Sequence, residues 1–143
     1  MVFLKIILFL IYLTQLSRSI SFDGIIHKSP DGSSYAYLSP PRTGNHASFI
    51  EEILSTDTLA IAWFTGGEAT PNCSIAVSLL HNNSHQFTPG IIVSQRMNYS
   101  NQNPVLYWNK NTQKLDLYHS SQLGNAGETN SQIWHLESKD QGK

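Results

Sequence analysis

Glu68 stands in the stretch Thr65-Gly66-Gly67-Glu68-Ala69-Thr70-Pro71, a glycine-rich loop behind an apolar run. A carboxylate on such a loop can exchange a proton with a bound group or accept hydrogen bonds from hydroxyls. The plainer reading is a solvated charge. Arg42 and His46 lie upstream and close together. A guanidinium meets an anionic carboxylate with two parallel N–H bonds, and a protonated imidazole supplies a second cation. Their plainer roles are a surface arginine and a packed loop histidine. Asn103 precedes the run Pro104-Val105-Leu106-Tyr107-Trp108, where its amide can bond a ligand or cap a turn.

Other chemistries find little in the sequence. The six histidines (His27, His46, His81, His85, His119, His135) show no paired spacing on one face, so no metal site is expected. Phosphate-cradling and nucleophile-elbow motifs are absent, and no cofactor is expected. Charged residues make up 13% of the 143 and the formal net charge is -1, which argues against a nucleic-acid partner. Cys73 is the single cysteine, so a disulfide framework within the chain is excluded. The thiol is either buried as a small apolar group or paired outside this chain.

The elements that must position these groups are strands. Leu59-Ala60-Ile61-Ala62-Trp63-Phe64 is a nearly continuous apolar run, the pattern of a strand buried on both faces. Ala47–Ile53 precedes it across a polar turn, Leu54–Thr58. Ser74–Leu80 follows and alternates, and Ile91-Ile92-Val93 is a fourth strand. The series then returns: Pro104–Trp108, the polar turn Asn109–Gln113, Leu115–Tyr118, a loop over Ser120–Asn130, and Ser131–Leu136. Leu59 matches Leu115 and Ile75 matches Ile133, at offsets of 56 and 58, within the range that marks propellers and solenoids. No segment keeps a helical period.

The closing turn repeats as well. Ser138-x-Asp140-x-Gly142 follows the last strand, with an acceptor carboxylate and a glycine for positive φ. Leu80-x-Asn82-x-Ser84-x-x-Phe87 occupies the matching place, with Asn for Asp and Ser for Gly.

The two ends differ in character. Lys5 and the apolar Ile6–Leu13, followed by Ser17-Arg18-Ser19, read as a secretory signal peptide over residues 1–19. That run is short for a bilayer, so no stable membrane span is expected after cleavage and the mature chain is expected outside the cell. Three sequons, at Asn72, Asn82 and Asn98, fit that compartment. Residues 20–44, with Ser29-Pro30-Asp31-Gly32-Ser33 and Ser39-Pro40-Pro41, read as an irregular leader. Within it Tyr35–Leu38 is expected as a short strand.

In order, His46-Ala47-Ser48, Ala62-Trp63-Phe64-Thr65-Gly66-Gly67-Glu68, Pro71-Asn72-Cys73-Ser74-Ile75-Ala76, Asn103-Pro104-Val105-Leu106-Tyr107 and Ser138-x-Asp140-x-Gly142 resemble the sialidase-like family with Asp-box repeats. The resemblance covers His46 to Lys143. It implies an all-β, six-bladed propeller that hydrolyses terminal sialic acid or a related acidic sugar. Carbohydrate would be the partner; on this chain's own residues Arg42, His46 and Asn103 are the candidate substrate-binding positions, and Glu68, the best remaining carboxylate, is the candidate catalytic group. The Asp-box residues Ser138, Asp140 and Gly142 would be structural.

The chain departs from the family pattern at two places. His46 stands where the family has an arginine, and Asn72 stands where it has an acid. The family's nucleophilic Tyr–Glu pair would lie in other blades. Residues 45–143 provide about two blades, near 45–95 and 102–143, whereas closure takes about four or more. A partial β-propeller from an incomplete chain is therefore expected. The alternative function is a non-catalytic, lectin-like or structural piece.

Overall fold

The computed structural model describes residues 20–124, 126–138 and 140. The expected signal peptide and Gly142 lie outside the described residues. No α-helix occurs among them, and no helix is long and apolar enough to cross a membrane.

Nine strands form three antiparallel sheets. The smallest pairs β1 (His27–Lys28) with β2 (Ser34–Tyr35). The strand expected at Tyr35–Leu38 is instead centred on Ser34. The turn between the two strands decides this. Asp31 accepts from the Ser33 backbone N–H and hydroxyl, and Gly32 takes a φ of 87°, which brings Ser34 opposite Lys28.

A four-stranded meander follows in the order β3 (His46–Ile53), β4 (Thr58–Thr65), β5 (Ser74–Leu80), β6 (Ile91–Ser94). β4 is central, and none of its side chains is fully exposed, as its unbroken apolar sequence requires. A three-stranded meander comes next: β7 (Tyr99–Asn109), β8 (Lys114–Leu123), β9 (Gln132–Ser138). β7 and β8 are longer than their apolar runs. β7 takes in Ser100, Asn101 and Gln102 before Pro104, and β8 continues through Ser120, Ser121 and Gln122 into the expected loop.

The two larger sheets share one register. β3 pairs His46 with Phe64, then bulges and resumes at Phe49 with Ala62. β7 pairs Gln102 with Ser120, then bulges and resumes at Val105 with Tyr118. Every one of these positions is offset by 56. The bulge residues Ala47 and Asn103, also 56 apart, both take positive φ, 49° and 51°. The turn residues Asp57 and Gln113 repeat the match at 47° and 56°. The pairs Leu59–Leu80 and Leu115–Ser138 carry the second offset, 58, into β5 and β9. The duplication lies in backbone geometry as well as in residue type.

The sheets stack through unlike faces. Phe49, Ala60, Ala62, Phe64, Ile75, Val77 and Leu79 lie in register on one face of the first sheet. They close a single core with Leu106, Trp108, Leu115 and Leu117 of the second. Shifted back by 56, Leu106, Leu115 and Leu117 become Ile50, Leu59 and Ile61, which lie on the opposite face of the first sheet. A sandwich of two sheets related by a two-fold rotation would bring like faces together. Here the repeat is head to tail. At the joint, the edge strand β7 donates its Trp108 backbone N–H to Glu51 Oε1 of β3 at 2.9 Å.

The leader runs onto the first sheet. Gly24 N–H donates to Tyr37 O, Ile26 N–H to His85 O, and Gly24 O accepts from Phe87 N–H. A Cβ on Gly24 would come 2.7 Å from Phe87 O, so this close approach needs glycine. Gly90 N–H donates to Ser39 O, beneath which lies the Trp63 ring.

Candidate functional site: one end of the stacked sheets

In a meander alternate connections emerge at the same end. The segment before β3, the β4–β5 loop, the β6–β7 connection and the β8–β9 loop therefore share one end of the stack. Arg42, Glu68 and Asn72 all lie there.

Arg42 fastens this end together. Its Nη1 donates to Asn72 O at 2.7 Å and to Ser74 Oγ at 3.0 Å, and its Nη2 donates to Gln95 Oε1 at 3.0 Å. Its own carbonyl accepts from Thr65 Oγ1 and from Asn45 Nδ2. The guanidinium thus spans three segments with internal acceptors, which leaves less of it for an anionic ligand. Gly66 passes below at φ 101°, and a Cβ there would strike Asn72 O. The Gly66 and Gly67 N–H groups donate to Thr43 O and Gly44 O, so the glycine-rich loop is tied down at its start.

Glu68 is exposed beyond those ties. Among the described residues no hydrogen bond joins it to Arg42, His46 or Asn103. Its charge acts on Cys73, whose thiol is pushed up chiefly by burial and secondarily by Glu68. Cys73 is fully buried and donates Sγ–H to Asn101 O, so it packs as a small core residue.

The other sequence-derived positions are dispersed. His46 is exposed, with its ring 5.6 Å from that of Phe64, and it borders a groove of about 270 Å³ lined by Phe22, Leu38, Ile61 and Trp63. Asn103 is the exposed bulge residue of β7, and asparagine tolerates the left-handed conformation found there. Asn72, Asn82 and Asn98 are all exposed. Asp140 accepts from the Ser138 hydroxyl at 2.6 Å. Its counterpart turn ends in Phe87, which is 8% exposed.

Sequence patterning did not single out Arg96, in the β6–β7 connection. Its guanidinium lies between two rings, 3.7 Å from the Tyr99 centroid and 3.8 Å from the Trp134 centroid. Nη1 also donates to Ser121 Oγ at 2.9 Å. Behind it runs a buried polar seam. Ser121 donates to Asn101 Oδ1, and Asn101 Nδ2 donates to Cys73 O. Nearby, His119 is 1% exposed, with Nδ1 2.9 Å from Ser120 O and Nε2 2.9 Å from Ser94 Oγ. A carbonyl only accepts, so Nδ1 carries the hydrogen; in the neutral ring Nε2 then accepts from the Ser94 hydroxyl. Burial foremost lowers the imidazole's proton affinity, and the Arg96 charge lowers it further.

This end therefore has two exposed carboxylates, Glu68 and Glu128, two anchored guanidiniums and aromatic surface. No group of three His, Cys, Asp or Glu suited to a metal occurs among the described residues. No family model, curated protein or solved structure matches the chain.

Proposed function

We propose that the chain is a secreted, two-bladed part of a sialidase-like β-propeller that binds an acidic glycan at its loop end and does not hydrolyse it alone. The observation that carries the reading is the duplicated, bulged register stacked head to tail, which is how successive propeller blades are arranged. The loop end supplies the contacts a sugar uses: the Trp134 and Tyr99 rings beside Arg96, and the free Glu68 carboxylate for hydroxyl groups. Binding is favoured over hydrolysis because no tyrosine hydroxyl is hydrogen-bonded to Glu68 among the described residues, and sialidase-type cleavage uses a tyrosine nucleophile.

The test offers the purified chain a sialylated glycan array and a fluorogenic sialoside. The reading predicts glycan binding that weakens with Arg96→Ala, and no fluorophore release. Release abolished by Glu68→Gln would establish the hydrolase instead. Absence of both binding and release would end the glycan assignment.

A further inference from the structure

The three sequons differ in what surrounds them once the chain is folded. Asn98 is exposed at the left-handed position of a tight turn, φ 64°, in which Tyr99 N–H donates to Arg96 O. Its carbonyl accepts from Gly124 N–H at 2.8 Å, which fixes the turn against the end of β8. Its side-chain amide has no hydrogen-bond partner among the described residues. Asn82, in the β5–β6 connection, instead donates from Nδ2 to Asp57 Oδ2 at 3.3 Å. Beside Asn98 stand Arg96, stacked between the Tyr99 and Trp134 rings, and Met97, 86% exposed. Tyr99 pairs with Leu123, 49% exposed, so ring and aliphatic surface adjoins this sequon.

We infer that Asn98 carries an N-linked glycan whose innermost sugars lie against Met97 and the Arg96–Tyr99–Trp134 cluster. The apolar C–H face of a sugar ring gains by leaving water against an aromatic ring, and its hydroxyl and acetamide oxygens accept from guanidinium N–H groups. Attachment one residue from Tyr99 gives the sugar a high effective concentration at the cluster. In the transfer, Asn98 Nδ2 forms a bond to the anomeric carbon of the first N-acetylglucosamine. The bond from that carbon to the pyrophosphate of a lipid-linked donor breaks, the lipid pyrophosphate leaves, and the amide gives up one proton. The inference rests on the secreted reading of the chain, where such a donor is met, and not on the binding of a free glycan.

Burial of the sequon hydroxyls sets the order of events. The transferase reads the hydroxyl two residues after the asparagine. Ser100 and Ser74 are fully buried, and Ser100 Oγ accepts from Gln102 Nε2 at 2.8 Å. Ser84 is half-buried, in the exposed turn that its hydroxyl makes with Gln86. Attachment at Asn98 therefore precedes closure of β7 on β8, whereas the Asn82 sequon stays accessible afterwards. The sugar is already in place when Arg96 settles between its rings, and a free glycan reaches the cluster only by displacing it.

The experiment expresses the full chain in cultured eukaryotic cells and weighs the tryptic peptide of residues 97–110, which contains no other sequon, before and after deglycosylation. A glycan at Asn98 is expected. An endoglycosidase should release it from the folded chain at least about threefold more slowly than from the isolated glycopeptide. Trp134→Ala should bring the two rates together, and Met97→Ser replaces it if Trp134→Ala does not melt like the wild type. Equal rates in the wild type, or slow release that the variant leaves unchanged, would overturn the contact. A bare Asn98 in a secreted chain would overturn the inference and leave the secreted reading intact; a chain that stays in the cell with all three sequons bare would remove both. Folded chain from bacteria, offered the transferase and a lipid-linked donor, should be modified at Asn82 and left bare at Asn98. Modification at Asn98 there would refute the order of events.

Discussion

Glu51→Ala removes one of the hydrogen bonds that join the two sheets, and its cost can be worked from the geometry. The carboxylate on β3 accepts the Trp108 backbone N–H at 2.9 Å in a partly buried setting. A hydrogen bond to a charged group contributes about 1.5–3 kcal/mol, and an orphaned buried N–H costs about 1–3 kcal/mol. These are two descriptions of one loss and do not add, so alanine should destabilise the fold by roughly 2 kcal/mol. Glu51→Gln keeps an acceptor but loses the charge, and neutral bonds are about half as strong, so roughly 1 kcal/mol is expected. Urea titration followed by tryptophan fluorescence reads both, and Trp108, 3% exposed in the shared core, reports on the joint itself. The slope of free energy against urea should not change, because both sheets unfold together. If alanine shifts stability by less than about 0.5 kcal/mol, a typical surface value, the sheets are not joined as described. Equal effects of alanine and glutamine would show that a neutral acceptor at this position contributes nothing.

Further outcomes follow from the loop end and the polar seam. Gly66→Ala should cost roughly 2 kcal/mol or more, since it strains the backbone and drives a methyl into Asn72 O; thermal melting measures this. Arg42→Lys cannot reach Asn72, Ser74 and Gln95 with one ammonium as the forked guanidinium does, so cleavage between residues 66 and 73 by a broad-specificity protease should quicken, with global stability less affected. His119 has a folded proton affinity below its unfolded value, so below about pH 6.5 the unfolded chain takes up more protons at this site than the folded chain. The His119 contribution to stability should therefore fall as pH drops from 6.5 toward the lowered value, and His119→Gln should remove that slope in denaturation curves taken across the range.

The strands legible in the sequence are those whose order comes from apolar burial. The run Leu59–Phe64 announces a central strand because both of its neighbours are in the same sheet, and β3 to β6 fall close to their apolar segments. The ends of β7 and β8 are not legible. Ser100, Asn101, Gln102 and Ser121 carry a loop's composition, yet they are buried. Ser121 is held through Asn101, Asn101 through Cys73 O, and Gln102 through the Ser100 and Ser120 hydroxyls. Apart from Ser100, these partners lie 18 to 28 residues away and leave no local period. For the same reason Arg96 is not legible, because its environment is assembled from Tyr99, Ser121 and Trp134 only when β7, β8 and β9 pair. The bulge in β7 was marked only by Asn103 before Pro104; its twin, Ala47, carries no side-chain signal at all.

Methyl–methyl nuclear Overhauser contacts in the labelled chain test the stacking of the two sheets most directly. The head-to-tail arrangement predicts cross-peaks linking the Leu106 and Leu117 methyls to the core of Ala62, Val77 and Leu79, with Val105 and Ile133 silent toward that group. Cross-peaks from Val105 or Ile133 to Ala62 or Val77 would mean that like faces meet, as in a sandwich, and would contradict it.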